Sequence, residues 1–262
     1  MSVVINIAKE RLKRGGLAVG LGLRQARTAD IGLIARASGF DWIFIDCEHN
    51  AMDLSTACEI ATAALGQGVT PIVRVAGKEH HHGTRVLDNG AMGVVVPHVD
   101  TAEEARQIVS NFRYPPVGHR SISRASPMVG FEPVPIGDFC RGINEQVLVV
   151  VMLESPEAID SAEAIAAVEG IDVLLIGTND LTAEMGIPGE FGHERVADAY
   201  GRTVEACRKH GKYAGMAGVP DPELQKRYID IGARFILADQ DLRLMVSAGR
   251  SCTGYLRGLN DR

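Results

Sequence analysis

Eight short segments of the chain are apolar enough to be buried strands, and they recur along its whole length. Most of them are apolar without alternation, which is typical of parallel strands that are covered on both faces. The segments between them repeat apolar residues at helical spacing. This alternation of strand and helix predicts a parallel α/β fold. The predicted strands cover residues 17–23, 42–46, 71–75, 92–97, 147–153, 173–177, 213–218 and 234–238.

Capping signals mark several of the predicted helices. Gly15 and Gly16 end a first helix over residues 5–14, because glycine commonly terminates a helix. Thr101 and Glu104 have the spacing of a capping box and start another helix. The last predicted helix carries enough apolar side chains to need a partner surface. Further helices are predicted over residues 54–66, 79–89 and 241–256.

The number of strand–helix units favours a closed barrel. A (β/α)8, or TIM, barrel usually has about 250 residues, and this chain has 262. The alternative is a doubly wound sheet, whose sequence usually contains a glycine-rich phosphate-binding loop. Gly20 and Gly22 lack the third glycine of that motif. The chain has no tandem repeat and no low-complexity linker, so residues 1–262 are predicted to form a single barrel domain.

Composition and charge restrict the classes of function. The chain is 46% hydrophobic and 23% charged, and its net charge of -6 argues against a general role on nucleic acids or membrane surfaces. No apolar run approaches the roughly 18 residues of a membrane span, and the N-terminus lacks the apolar core of a signal peptide. The five cysteines form no CxxC pair, which is typical of free thiols in a reducing compartment. We therefore expect a cytoplasmic protein without a nucleic-acid or membrane partner.

Two acidic residues follow neighbouring predicted strands. Glu154 comes directly after the fifth strand, and Asp180 lies three residues after the sixth. In a barrel the carboxyl ends of the strands meet at one mouth, where such enzymes have their active sites. Two carboxylates with open coordination positions would suit Mg2+ or Mn2+. The alternative is that each carboxylate only caps the helix that follows it, and spacing alone does not separate the two.

Further candidates lie near the ends of the second and third strands. Asp46 ends a strand, and His49 lies in the next loop, where a histidine near a carboxylate can act as a general base. Arg74 interrupts an apolar strand, and it could grip a carboxylate of the substrate or form a structural ion pair. Asp88, taken alone, is interpreted as a surface residue at a helix end. No lysine lies in a predicted strand, so a Schiff-base mechanism has no obvious candidate.

Seven short motifs follow one another along the chain. They are Asp41-Trp-Ile-Phe-Ile-Asp46-Cys-Glu48-His49, Ile72-Val-Arg74, Leu87-Asp88-Asn-Gly90-Ala, Val96-Pro97, Arg113-Tyr-Pro-Pro-Val-Gly118, Leu153-Glu154-Ser and Gly177-Thr-Asn-Asp180-Leu. Each alone is weak, but the ordered set resembles the HpcH/HpaI family of class II pyruvate aldolases from about residue 5 to residue 255. The resemblance implies a (β/α)8 barrel of the phosphoenolpyruvate/pyruvate type, commonly a hexamer, with the C-terminal helix exchanged between subunits.

The resemblance also implies an activity. It is that of a metal-dependent aldolase, which cleaves a small 4-hydroxy-2-oxo acid to pyruvate and an aldehyde through a metal-bound enolate. The cofactor would be Mg2+ or Mn2+, with Co2+ as a further candidate. By position, the resemblance implies Glu154 and Asp180 as metal ligands and Arg74 as the group that stabilises the enolate oxygen. It implies His49 as the general base, Asp46 as the acid beside it, and Asp88 as the acid that raises the basicity of the histidine. The implied substrate contacts, besides Arg74 and Asp180, are Met152, Thr178 and Asn179.

Two departures from the family pattern concern the substrate. Met152 stands where many members have glutamine, and a thioether cannot make the hydrogen bonds of an amide. Thr178 and Asn179 stand where many members have Pro-Ala. The alternative hypothesis is therefore the same barrel and metal site with a different reaction on a 2-oxo acid or CoA ester, as a decarboxylase, a synthase or a CoA-ester lyase.

Overall fold

A computed structural model describes residues 3–260 of the chain. Within these residues eight parallel strands close into a barrel, in which each strand pairs with the next and β8 pairs with β1. The predicted (β/α)8 barrel is confirmed, and each strand boundary lies within two residues of its predicted place. The strands are β1 (Ala18–Leu23), β2 (Trp42–Asp46), β3 (Thr70–Arg74), β4 (Gly93–Val96), β5 (Leu148–Leu153), β6 (Val173–Gly177), β7 (Tyr213–Ala217) and β8 (Phe235–Gln240).

Helices between the strands cover the outside of the barrel. The predicted capping box is present, since the Thr101 hydroxyl accepts the N–H of Glu104 and the Glu104 carboxylate accepts the N–H of Thr101. The helices of the described part are α1 (Ile7–Lys13), α2 (Ile31–Ala37), α3 (Leu54–Gln67), α4 (His80–Asp88), α5 (Ala102–Phe112), α6 (Ile136–Gln146), α7 (Pro156–Asp160), α8 (Ala162–Ala166), α9 (Thr178–Glu184), α10 (Glu194–Lys209), α11 (Pro222–Ile231) and α12 (Asp241–Asn260), with a 3-10 turn at Pro127–Val129.

The amino-terminal end of the barrel is filled with large side chains. The rings of Trp42 and Phe235 stack with 4.1 Å between their centroids. Gly20 makes room for them, because a Cβ atom there would lie 2.2 Å from Cε2 of Trp42. Ala8 and Leu12 of α1 belong to the same buried cluster and close this end. The carboxyl end therefore remains as the open mouth of the barrel.

An ion network links α1 to this packed end. The carboxylate of Asp172 accepts hydrogen bonds from Lys9 Nζ, from the guanidinium of Arg113 and from the N–H of Val149. Burial alone would raise the pKa of Asp172, but the two neighbouring cations hold that pKa below its usual value. The network is therefore charged at neutral pH, and it stabilises the amino-terminal end of the barrel.

The last helix, α12, is longer than its predicted range of residues 241–256. It makes its main contacts with β1 and β8, and Met245, Tyr255 and Leu256 are exposed along it. Across residues 3–260 no helix is both long and apolar enough to cross a bilayer. The predicted domain of residues 1–262 also includes residues 1, 2, 261 and 262, which lie outside the described part.

Candidate active site

The mouth of the barrel gathers polar residues from the ends of four strands, β2, β3, β5 and β6. Asp46 ends β2, Arg74 ends β3, Glu154 directly follows β5, and Asp180 lies in the first turn of α9 after β6. The parallel register places Asp46 opposite Arg74. Sequence-distant residues thus meet because all eight strands run in the same direction.

Arg74 and Asp46 form a two-pronged ion pair. Nε of Arg74 donates to Oδ1 of Asp46 at 2.9 Å, and Nη2 donates to Oδ2 at 2.7 Å. Burial would raise the pKa of Asp46, but these hydrogen bonds and the positive charge of Arg74 lower it below its usual value. Asp46 is therefore an ionised carboxylate that fixes Arg74, and the N–H groups of Glu48 and His49 also donate to it.

The remaining edge of the Arg74 guanidinium faces other groups of the mouth. Its Nη1 lies 3.0 Å from Oε2 of Glu48, a buried oxygen that accepts no hydrogen bond. The same nitrogen lies 3.9 Å from the sulfur of Met152, which is a weak acceptor. The guanidinium carbon also lies 5.1 Å from the ring centre of Phe44. This edge of Arg74 thus forms an ion pair with Glu48 without a well-aligned hydrogen bond, and it has the thioether of Met152 as its other neighbour.

Glu154 is a buried carboxylate in contact with His98. The backbone N–H of His98 donates to Oε2 of Glu154 at 2.8 Å. Burial raises the pKa of Glu154, and the negative charge of Asp180 adds to the rise, against the opposing effect of His98. A cation between the two carboxylates would remove this penalty, because it favours the ionised form of both.

The donor set of this pair fits a divalent cation of the oxygen-binding kind. Residues 3–260 hold no group of three or more His, Cys, Asp or Glu side chains that could bind a metal ion. Mg2+ is commonly held by one or two carboxylates, and it keeps waters that a substrate can displace. Gly177 leaves the space that the Glu154 carboxylate occupies. Glu154 and Asp180 therefore suit a shared Mg2+ or Mn2+ ion better than a closed structural metal site.

The residues that begin α9 differ in what they offer to a substrate. The hydroxyl of Thr178 is buried and makes hydrogen bonds with the carbonyl of Ala217 and the hydroxyl of Tyr200. The predicted contact of Thr178 with substrate stays a prediction, and it would have to be made by the backbone because the hydroxyl is engaged within the protein. Asn179 is exposed at the mouth, and its amide packs close to Gly218.

His49 and Asp88 lie at opposite ends of the barrel, His49 at the carboxyl end and Asp88 toward the amino-terminal end. The imidazole of His49 is exposed at the mouth, with Nε2 at 3.5 Å from Oε2 of Glu48. Asp88 ends α4, which runs away from the mouth toward the start of β4, and it forms an ion pair with the buried Arg120. Within one chain the structure does not bring Asp88 to His49. The role implied for Asp88 is thus unsupported by the single chain.

Two further residues of the mouth had no role in the sequence-based prediction. Nε2 of His98 lies 3.8 Å from Oε1 of Glu48, and Nδ1 lies 3.4 Å from Oε2 of Glu154. His98 has a φ of 51°, an unusual conformation for a residue with a side chain. Its place just beyond β4 was the available signal, since residues just past strand ends line the mouth. Glu48 belongs to the first of the seven motifs, but its position beside Arg74 depends on how the loop after β2 folds.

Comparison with known proteins places the chain in a family. Residues 24–248 match the model of the family described as HpcH/HpaI aldolase/citrate lyase, and the chain belongs to this family. It is 39% identical to the 4-hydroxy-4-methyl-2-oxoglutarate aldolase of Hapsidospora irregularis, over 97% of this chain and 96% of that protein. It is 34% identical to the 2-keto-3-deoxy-L-rhamnonate aldolase of Escherichia coli, over 94% of this chain and 91% of that protein.

A solved structure agrees with these sequence matches. The HpcH/HpaI aldolase from Desulfitobacterium hafniense superposes with a TM-score of 0.90 at 27% identity, and the match covers 95% of this chain and 96% of that one. The family resemblance drawn from the motifs is confirmed. The prediction of an aldolase is confirmed as well, because the curated relatives are named as aldolases.

Proposed function

We propose that the protein is a divalent-metal-dependent aldolase that cleaves a 4-hydroxy-2-oxo acid to pyruvate and an aldehyde. The observation that carries the proposal is that two carboxylates, Glu154 and Asp180, lie at the same mouth of the barrel as a guanidinium, Arg74. The chemistry needs an electron sink at the keto group, and within residues 3–260 no lysine lies in a strand to supply a Schiff base. A metal ion held by the two carboxylates supplies Lewis-acid polarisation of the 2-oxo acid when it is bound.

The protein's own groups would move one proton and stabilise one developing charge. His49 would take the proton of the substrate's C4 hydroxyl as the C3–C4 bond breaks and the aldehyde forms. The electrons of that bond pass to the C2 oxygen and give the enolate of pyruvate. Nη1 of Arg74, which lies beside Glu48 and Met152, would donate a hydrogen bond to that oxygen. Protonation of the enolate at C3 completes pyruvate.

For the second product, which is released together with pyruvate, we propose only the chemical class. Two curated relatives are named for a branched dicarboxylic and for a deoxysugar 2-oxo acid, so substrates of these relatives share the 2-oxo acid end and differ in what C4 carries. Met152, at a position where many members of the family have glutamine, is the residue that we propose to affect the choice of substrate. The alternative reaction, as a decarboxylase, a synthase or a CoA-ester lyase, would also pass through an enolate, that of a 2-oxo acid or of a CoA ester, and would differ in what it joins or releases.

We also propose a cytoplasmic homo-oligomer, with a hexamer favoured. The exposed apolar residues of α12 support it, because a single chain leaves Met245, Tyr255 and Leu256 in water. An exchange of this helix between subunits would cover them. Light scattering of the protein with and without residues 241–262 tests the proposal, since loss of the helix should yield a monomer.

The activity is tested by pyruvate release from a racemic 4-hydroxy-2-oxo acid, coupled to lactate dehydrogenase. We expect release to stop with EDTA and to return with Mg2+ or Mn2+. Glu154→Gln should abolish metal binding in calorimetry, whereas Glu157→Gln, an exposed neighbour on α7, should leave it unchanged. No release from a folded, metal-binding protein would favour the alternative reaction. Release that survives complete removal of metal would contradict a metal-dependent mechanism.

A further inference from the structure

The proposed base, His49, lies in an irregular loop, and its backbone is held on both sides. Its N–H donates to Oδ1 of Asp46 at 3.3 Å. Its carbonyl accepts a hydrogen bond from Nη1 of Arg24 at 2.8 Å. The same nitrogen of Arg24 lies 3.7 Å from Oδ2 of Asp46, so the two residues that hold His49 are themselves paired. The imidazole itself is 55% exposed next to Glu48. Its placement therefore depends on the backbone.

Arg24 belongs to a loop after β1 that is tied to the His49 loop at neighbouring points. Nη2 of Arg27 donates to Oδ1 of Asn50 at 2.7 Å. Nδ2 of Asn50 donates in turn to the carbonyl of Leu23 at 3.0 Å. Three hydrogen bonds therefore join residues 23–27 to His49 and Asn50. The two loops should move as one unit.

The loop after β1 is anchored by the first residue of the last helix. The carboxylate of Asp241 accepts three consecutive backbone N–H groups, those of Arg24 at 2.8 Å, Gln25 at 3.0 Å and Ala26 at 2.7 Å. Successive N–H groups that converge in this way bind a carboxylate strongly. Residue Asp241 is thus the point at which α12 holds the wall of the active site.

The sequence places Asp241 there through an irregularity in β8. Gly20 of β1 pairs with Leu237, and the next residue, Leu21, pairs with Asp239, so Ala238 is an extra residue in the strand. A bulge of this kind bends the strand end and redirects the side chains beyond it. Asp241 then begins α12 with its carboxylate directed at the β1 loop.

We propose that Arg24 and Asp241 are positioning residues for His49. The inference rests on the proposed function, in which His49 is the general base. Asp241 fixes the backbone of the β1 loop, and Arg24 transmits that placement to the carbonyl of His49. A general base must lie within hydrogen-bond reach of its proton, and a displacement of about 1 Å can cost on the order of a hundredfold in rate.

Two reactions that would leave the same pyruvate enolate separate this role from a general structural one. Cleavage of a 4-hydroxy-2-oxo acid requires removal of the hydroxyl proton. Decarboxylation of oxaloacetate breaks a bond to CO2 and leaves the same enolate, with no hydroxyl proton to remove. A residue that acts only through His49 should therefore affect the first reaction and spare the second.

The experiment measures kcat and KM of both reactions, in Mn2+, for Arg24→Met, Arg24→Lys, Asp241→Ala and His49→Ala. We expect Arg24→Met and Asp241→Ala to lower kcat for cleavage by about 10- to 100-fold with little change in KM. Decarboxylation should stay within about twofold of the wild type. Arg24→Lys should recover most of the activity, because an ammonium can still donate to the carbonyl. Arg36→Met, an exposed arginine of α2, is the matched control and should change neither reaction.

The double variant Arg24→Met/His49→Ala gives the decisive comparison. If Arg24 acts through His49, the double variant is no slower than His49→Ala alone, since the two effects are not independent. Additive losses, a rise in KM alone, equal losses in both reactions, or unchanged cleavage would each overturn the inference. If the wild type cleaves no 4-hydroxy-2-oxo acid, the proposed function fails and the inference falls with it. Wild-type cleavage with unaffected variants would refute the inference alone.

Discussion

Gly177 and Glu154 are in such close contact that no side chain fits between them. A Cβ atom at position 177 would lie 2.5 Å from Oε1 of Glu154 and 2.7 Å from its Cγ. Contacts this short would force the buried carboxylate to move. The glycine at the end of β6 thus sets the place of the proposed metal ligand at the end of β5.

The first prediction follows from this contact. We expect Gly177→Ala to weaken Mn2+ binding at least tenfold, because the new methyl group would push the Glu154 carboxylate away from the place where it and Asp180 would hold the ion. Calorimetric titration of the metal-free protein measures the affinity. Gly201→Ala is the control, since position 201 lies in α10 with open space around it, and alanine there should stabilise the helix by about 0.5–1 kcal/mol. Unchanged Mn2+ affinity in Gly177→Ala would argue against Glu154 as a ligand.

The second prediction concerns the ion pair of Arg74 and Asp46. Arg74→Met should lower kcat for aldol cleavage by about 100-fold or more, because one donor to the developing oxyanion is lost. It should also lower the free energy of unfolding by about 3–5 kcal/mol, because it removes the two-pronged partner of the buried Asp46 charge and leaves only the more distant Arg24. Denaturant unfolding and steady-state kinetics measure the two effects.

A double variant tells these two effects apart. In Arg74→Met/Asp46→Asn the buried charge is gone together with its partner, so much of the stability should return. Activity should stay low, because no guanidinium faces the substrate. Recovery of turnover along with stability would show that Arg74 has only a structural role.

The sequence predicted the fold well because the signals for it are local and repeated. The run of apolar residues from Trp42 to Ile45 is enough to define β2, and the capping box of Thr101 and Glu104 is a contact between near neighbours. A barrel then follows from counting such units. The (β/α)8 fold also placed Glu154 at the mouth, because a residue just past the carboxyl end of a barrel strand lies there whatever its other contacts are.

Side-chain partners within the site depend on contacts that the sequence does not encode locally. The hydroxyl of Thr178 is drawn inward by Ala217 and Tyr200, which lie 39 and 22 residues away. The approach of His98 to Glu154 depends on a φ of 51°, which no sequence pattern announced. Pairing across loops and unusual backbone conformations thus account for the part that sequence reasoning missed.

The third prediction concerns acid stability. The folded pKa of Asp172 is below its usual value, so the unfolded chain takes up this proton at a higher pH than the folded protein does. The contribution of Asp172 to stability is complete above the unfolded pKa of about 3.9, and it is lost as the pH falls through the folded pKa. In denaturant titrations the wild type should exceed Asp172→Asn in free energy of unfolding at pH 7, and the gap should narrow below pH 4. A gap that is independent of pH would contradict this linkage.

The last prediction concerns Asp88, which the resemblance implied as a partner of His49. In the single chain Asp88 neutralises Arg120, whose side chain is 2% exposed and has two donors, Nε and Nη1, without a partner. Asp88→Asn should therefore lower the free energy of unfolding by about 3 kcal/mol, because it leaves a buried cation uncompensated. Asp230→Asn, which removes an exposed acid on α11, is the control and should cost less than about 1 kcal/mol.

The pH dependence of turnover then decides whether Asp88 also reaches the active site. With its partner Arg120 in the same chain and the mouth at the other end of the barrel, Asp88 has no path to His49 within one subunit. If it acts only on Arg120, Asp88→Asn at a temperature where it is folded keeps the wild-type pH profile of kcat. If a second subunit brings Asp88 to His49, the loss of its negative charge should lower the apparent pKa of the base and move the profile to lower pH, because a nearby anion favours the protonated imidazole. The oligomeric form must then place the end of α4 of one subunit at the mouth of another.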